Sequence, residues 1–171
     1  VYCADGEPEI VFTSSTTGGD TPSRHYVWRQ ENYRRTLRAA FTHFYGDPSE
    51  WAFYALLPCY LEREGSSLVW MADDLIRSGG GGFFLDDHKG LLERMAADPK
   101  RKILLGVSYA LLDLAEGFAP KLTDTVVMET GGMKGRRAEL PKEEFHAILC
   151  RAFGVEKIHS EYGMAELTSQ A

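Results

Sequence analysis

Apolar residues recur along the chain at two different spacings, and the two alternate. Glu9-Ile10-Val11-Phe12-Thr13 is a short β-branched and apolar run. It passes directly into the hydroxyl and glycine cluster Ser14-Ser15-Thr16-Thr17-Gly18-Gly19-Asp20, which predicts a strand followed by a polar loop. His25-Tyr26-Val27-Trp28 predicts a second short strand. Over residues 29–45, Tyr33, Leu37, Ala40, Phe41 and Phe44 fall at three- and four-residue steps, the spacing of an amphipathic helix, and Gly46-Asp47-Pro48 ends it. Residues 51–57 read as a buried strand closed by Pro58, and Ser66 caps a helix running to about Arg77. The glycine run 79–82 breaks the chain before a strand at 83–85. Further helices are predicted at 88–97, 109–116 and 141–153, with strands at 102–105, 125–128 and near Lys157-Ile158. Pro141 suits a first helical turn, with Glu143 and Glu144 near the positive end of that helix. Strands alternating with helices of this length imply βαβ units: an α/β fold, its mostly parallel sheet flanked by helices. No internal repeat interrupts the pattern, and residues 1–171 read as one α/β unit.

Composition narrows the function classes. The chain has 171 residues, 44% of them hydrophobic, enough for a core without disulfides or metal. Lys and Arg number 19 against 25 Asp and Glu, a formal charge of −6, which argues against a general binder of nucleic-acid backbone. Cys3, Cys59 and Cys150 are odd in number and widely spaced, so neither a disulfide framework nor a zinc ribbon is expected; a reducing, cytoplasmic setting is. No apolar run reaches membrane-spanning length and no signal-peptide pattern opens the sequence, so no membrane partner is expected.

Parallel α/β sheets bind ligands beyond the carboxyl ends of their strands, which singles out three loops. Thr13-Ser14-Ser15-Thr16-Thr17-Gly18-Gly19 offers small residues whose N–H groups can converge on an anion, hydroxyls for phosphate or Mg²⁺, and Arg24 a few residues on as a cation. It lacks the Walker spacing, and a plain Ser/Thr-rich turn has the same composition. Glu129-Thr130-Gly131-Gly132-Met133-Lys134-Gly135-Arg136-Arg137 follows a strand, and its paired glycines admit a flat ligand; a mobile, solvated basic loop is the alternative. Ser160-Glu161-Tyr162-Gly163-Met164-Ala165-Glu166 offers an aromatic face for stacking on a base and, at Glu166, a carboxylate for a hard cation; a helix cap with a solvated Glu is the alternative.

In order and spacing the three loops together resemble the signature of the adenylate-forming superfamily, with its T-S-G-T-T-G phosphate loop, glycine-rich adenine loop and Y-G-x-T-E segment. The likeness is closest to acyl-protein synthetases of the LuxE type, the fatty-acid-activating component of bacterial luciferase systems. It rests on residues 12–18 and 23–27, Leu56-Leu57-Pro58-Cys59-Tyr60-Leu61-Glu62-Arg63, Met71-Ala72-Asp73-Asp74-Leu75-Ile76, residues 129–136 and residues 160–167, nearly the whole chain. The resemblance implies ATP- and Mg²⁺-dependent activation of a long-chain fatty acid. The carboxylate attacks the α-phosphate, pyrophosphate leaves, and the acyl-adenylate passes to a thiol on a reductase-like acyl-accepting protein. By motif position Ser14, Ser15, Thr16, Thr17, Gly18 and Arg24 meet the phosphates, Gly131, Gly132, Tyr162 and Gly163 the adenine, and Glu166 the Mg²⁺. Phe53, Tyr54, Tyr60 and the turn at Ser108 are candidates for the acyl wall.

Three departures from the family pattern bear on activity. Ser15 stands where the phosphate loop has glycine, which strains it if that backbone needs positive φ, and Ala165 stands where Y-G-x-T-E has its threonine, a lost hydroxyl donor that lowers a rate by roughly a hundredfold. No residue of the 171 matches the family's ribose-binding Asp, the lysine of its C-terminal lid or the acyl-accepting Cys, so the chain reads as the nucleotide-binding core of a larger enzyme, inactive by itself. Three other readings stay open: an acyl-CoA ligase like phenylacetate-CoA ligase, a nucleotide-binding fragment without turnover, and a serine hydrolase with Ser108, Asp124 and His159 in α/β-hydrolase order. Ser108 as a helix N-cap competes with the last. The five histidines show no metal-ligand spacing.

Overall fold

The computed structural model describes residues 6–14, 22–57, 65–133 and 135–163. Strands β1 (Ile10–Thr13) and β2 (Arg24–Val27) form an antiparallel pair of their own. Then come α1 (Gln30–Tyr45), a 3-10 turn (Pro48–Glu50), β3 (Trp51–Leu56), α2 (Ser67–Gly79) and β4 (Gly81–Phe84). The remainder is α3 (His88–Ala97), β5 (Arg101–Val107), α4 (Ser108–Phe118), β6 (Thr125–Thr130), α5 (Lys142–Phe153) and β7 (Ile158–Ser160). The last five strands make one parallel sheet in the order β4-β3-β5-β6-β7. The α/β class with a helix-flanked parallel sheet is therefore as expected. The first candidate loop, however, does not follow a strand of that sheet; it closes the β1-β2 hairpin.

Strand order dictates where the helices go. From β3 the chain steps one way to β4, then back across β3 to β5 and onward to β6 and β7. Right-handed crossovers thus put α2 on one face and α3, α4 and α5 on the other. The first face is completed by α1, whose Tyr33, Leu37 and Phe41, one turn apart, are buried. Each strand of the sheet centre is closed off from water: every residue of β3 is buried, as is β5 after Arg101.

Three local details differ from the sequence pattern. The glycine run is not a four-residue break: Gly79 closes α2, Gly80 with φ of +102° separates the helix from the strand as expected, and Gly81 and Gly82 already belong to β4. A Cβ at Gly79 would sit 1.9 Å from the Trp51 carbonyl oxygen, and one at Gly81 2.0 Å from that of Phe53. Close approach of backbones requires glycine at both positions, and a φ of +107° requires it a second time at Gly81. Ser108 does not cap α4 either; Val107 holds the cap position and Ser108 is the first helical residue. Pro141 likewise precedes α5 at its cap position. Ser66 does cap α2, its hydroxyl accepting from the Val69 N–H at 3.3 Å.

One buried charge locks α1 to α2. Asp74 of α2 is 5% exposed and receives Arg34 Nε at 2.8 Å and Arg38 Nε at 2.7 Å, both from α1. The small cluster Phe12, Val27 and Tyr33, with Trp70 against it, packs the hairpin onto the same two helices. Asp74→Ala strands both guanidinium groups beside a buried gap and should cost about 2 kcal/mol, a buried pair's penalty reduced by the partial exposure of the arginines. Urea unfolding should show a lower midpoint with an unchanged slope.

Candidate functional site

The strand order reverses at β3, so the crevice beyond the carboxyl ends of β3 and β5 is the position at which such sheets take ligands. Chemistry-bearing side chains converge at this end of the sheet, and β6 sorts them. Successive strand residues point to opposite faces, so Glu129 turns toward α4 and α5 while Thr130 turns toward α1.

On the α5 face, Glu129 is a hub. Its carboxylate accepts from Ser160 Oγ at 2.7 Å and Ser108 Oγ at 3.3 Å, with His146 Nε2 at 3.6 Å and Lys142 Nζ at 3.7 Å. It thereby fastens the ends of β5, β6 and β7 to one another and to α5. On the α1 face, Thr130 Oγ1 donates to Glu161 Oε2 at 2.5 Å, and the Glu161 N–H donates to the Glu129 carbonyl at 2.8 Å. Burial, chiefly, and the nearby Glu129 charge raise the Glu161 carboxyl above the usual carboxylate range, against the opposing Thr130 hydrogen bond. Tyr33 lies buried beside Ser67 and Glu161, and burial pushes its hydroxyl up to about 12.

A cavity of about 340 Å³ opens on that same face. Leu37, Phe41 and Phe44 of α1 wall it on one side, and Phe53, Leu75 and Met128 on another. His159, Ser160 and Glu161 supply its polar edge. The Tyr45 hydroxyl and His159 Nδ1 lie within hydrogen-bond distance at 2.8 Å; burial, and to a lesser degree the charge of Lys157, lowers the His159 pKa.

The structure brings some of the sequence-derived residues together. Ser14 and exposed Arg24 stand at the hairpin neck, where Ser14 N–H donates to the Ser23 carbonyl at 3.0 Å and Ser23 N–H to Ser14 Oγ at 2.9 Å. The neck is tied to the start of α2 by Thr13 N–H donating to the Gly65 carbonyl at 2.9 Å. Gly131 and Gly132 follow β6 with φ of +74° and +64°, and a Cβ at Gly132 would meet nothing within 4 Å. Tyr162 is 64% exposed, and Gly163 beside it is exposed too. Ser15, Thr16, Thr17, Gly18, Tyr60 and Glu166 lie outside the described residues. Among the described residues, no group of three His, Cys, Asp or Glu side chains is arranged to hold a metal ion, and no helix is long and apolar enough to cross a membrane.

Two acyl-wall candidates are placed elsewhere. Tyr54 points to the opposite face, its hydroxyl donating to Asp98 Oδ2 at 2.9 Å and approaching the Arg94 carbonyl at 3.3 Å. Its neighbour Phe53, one step along the strand, faces the cavity instead. Ser108 is buried against Glu129. The hydrolase arrangement is not assembled: Ser108 meets a carboxylate, His159 meets Tyr45, and Asp124 lies at the amino end of β6, its carbonyl accepting from Lys102 N–H. The basic loop after β6 is also pinned. Arg136 lies 4.9 Å over the Tyr109 ring, and Arg137 pairs with Asp113 and Glu116 of α4.

Glu129, His146, Tyr33 and Glu161 were not picked out as functional residues. The one signal for them in the sequence is Glu129-Thr130 at a strand end, where alternation sends two polar side chains to different faces.

Gly132→Val places a β-branched residue in the left-handed region and should cost about 1–2 kcal/mol. Gly117→Ala, in the last turn of α4 with open space around the added methyl, should instead stabilise by about 0.5 kcal/mol. Thermal unfolding of the two variants beside the parent checks the contrast.

Compared with models of known protein families and with curated proteins, the chain matches none.

Proposed function

We propose that these residues form the ATP- and fatty-acid-binding core of an adenylate-forming acid–thiol ligase of the acyl-protein synthetase kind. The observation that carries the reading is the apolar cavity whose polar edge, at Ser160 and Glu161, runs directly into Tyr162 and lies one strand from Gly131-Gly132. An apolar tail inside and a nucleotide base outside would meet at the carboxyl end of the sheet, where an acyl carboxylate and an α-phosphate must come together.

The residues present fit such a nucleotide. Two consecutive glycines with positive φ and open space above Gly132 admit a flat base against the backbone, and the exposed Tyr162 ring supplies a stacking face. Ser14 and Arg24 hold the neck of the loop assigned to the phosphates. Mg²⁺, assigned to Glu166, supplies charge neutralisation at the phosphates. Phe41, Phe53 and Met128 exclude water from the acyl chain, which a mixed anhydride requires. None of the 171 residues matches the lid lysine, so binding rather than turnover is the property expected of them.

ATP and tetradecanoate titrated into the protein with Mg²⁺ present should both bind, and Glu166→Gln should weaken Mg²⁺-dependent ATP binding by about tenfold, the loss of one charge-assisted contact. An unchanged ATP affinity removes the metal assignment, and a chain that binds neither ligand removes the reading. In a longer protein carrying the lid, tetradecanoate-dependent exchange of pyrophosphate into ATP separates a ligase from a binding-only core. Release with a protein thiol rather than coenzyme A separates it from an acyl-CoA ligase.

A further inference from the structure

Glu161 is an acid in an unexpected place. It stands on the polar edge of a mostly apolar cavity, its backbone is latched to the Glu129 carbonyl, and its carboxyl group takes a hydrogen bond from Thr130 on one oxygen, Oε2. A negative charge there would repel the anionic head of the very ligand the cavity's apolar walls suit. We propose that Glu161 is the head-group recognition residue of the cavity, its carboxylic acid group donating a hydrogen bond to a carboxylate oxygen of a linear fatty acid whose tail lies against Phe41, Phe53, Leu75 and Met128. This rests on the acyl-binding reading above and adds to it the residue that selects the head.

The surroundings favour an acid that keeps its proton. Tyr33 and Tyr45 face the region from α1, both raised by burial and therefore neutral near pH 7. Glu129 lies behind it on β6, and its charge opposes a second anion. His159 of β7 is held neutral, and α2 turns only Met71 and Leu75 toward the cavity. Lys157 is the one cation among the lining residues, and it precedes β7 at the end of the strand away from Glu161. Binding a carboxylate at Glu161 is therefore coupled to retention or uptake of one proton. The folded pKa is raised, so the donor is present at low pH and is lost as pH rises through that pKa.

Calorimetric titration of decanoate, decanol and decylamine into the 171-residue protein between pH 5.5 and 8.5 tests this. Parent affinity for decanoate should fall with rising pH, approaching about tenfold per unit above the Glu161 pKa, while decanol affinity stays flat. Glu161→Gln, which keeps an N–H donor in the same shape, should bind decanoate with no such pH dependence. Glu161→Leu should lose about tenfold at pH 6 for decanoate and not for decanol. Repeating the parent titration in buffers of different ionisation enthalpy should show proton uptake that Glu161→Gln abolishes. A pH profile unchanged by Glu161→Gln, tighter binding of decylamine than of decanoate at pH 8, or loss of decanoate binding in Lys157→Met with Glu161→Leu unaffected would each overturn the proposal while leaving an acyl-binding cavity. Failure of both decanoate and decanol to bind the parent overturns the acyl reading together with it.

Discussion

The reversal of strand order at β3 is the constraint from which the rest of the molecule follows. Because the chain leaves β3 toward one edge and returns to build toward the other, one crossover helix falls on one face and three on the other. Three helices suffice to cover five strands; α2 alone does not. The uncovered part of that face is taken by α1, which comes from outside the parallel sheet and is held by Arg34 and Arg38 to the buried Asp74 of α2. A helix recruited this way need not match the sheet as closely as one threaded between two strands. The cavity lies where the match is incomplete, between α1 and the β6-β7 edge.

The second constraint is the pleat. At the end of β6, Glu129 and Thr130 are neighbours in sequence and point to opposite faces, so one strand end organises two unlike environments. Glu129 gathers two hydroxyls, a histidine and a lysine into a polar knot that ties strand ends to α5. Thr130 holds Glu161 at the rim of an apolar cavity. The glycine pair that follows leaves the sheet between them, with its backbone accessible because neither residue carries a Cβ.

Local periodicity made much of the fold legible. Tyr33, Leu37 and Phe41 at four-residue steps placed α1 within a residue of its ends, and the unbroken apolar run of β3 announced a strand buried on both faces. What periodicity cannot convey is pairing. The run at 10–13 looks like any strand of the sheet, yet it pairs antiparallel with β2, because the hairpin loop between them is too short for a crossover helix. At the glycines 79–82 conformational freedom and lack of bulk are the same letter in a sequence; the structure uses both, positive φ at Gly80 and Gly81 and the Trp51 and Phe53 carbonyls pressed against Gly79 and Gly81. Site legibility divides the same way. The positive φ of the Gly131-Gly132 pair and the exposed ring of Tyr162 were legible because backbone freedom and an aromatic face are properties of single residues. Tyr54 was misplaced by one step of the pleat, the step that carries Phe53 to the cavity. The Glu129–His146 contact, the Tyr45–His159 pair and the cavity itself are properties of residues far apart in the chain, and a void is defined by atoms that fail to meet.

Uncommitted cations among the described residues are scarce at the carboxyl end of this sheet, and that scarcity shapes what those residues can do with anions. Among the described residues, Arg137 is committed to Asp113 and Glu116, Arg136 to the Tyr109 ring, and Lys142 lies beside Glu129. His159 is neutral and Arg24 stands at the exposed hairpin neck. Anionic ligands brought to this end would be met, among the described residues, mainly by neutral donors: backbone N–H groups at the glycine turn, hydroxyls, and the Glu161 acid proposed above. Neutral donors in a partly dry site hold their geometry without the desolvation cost of a buried cation. The Glu161 acid proposed as head-group donor and a glycine-lined turn would thus answer the same electrostatic problem by the same means.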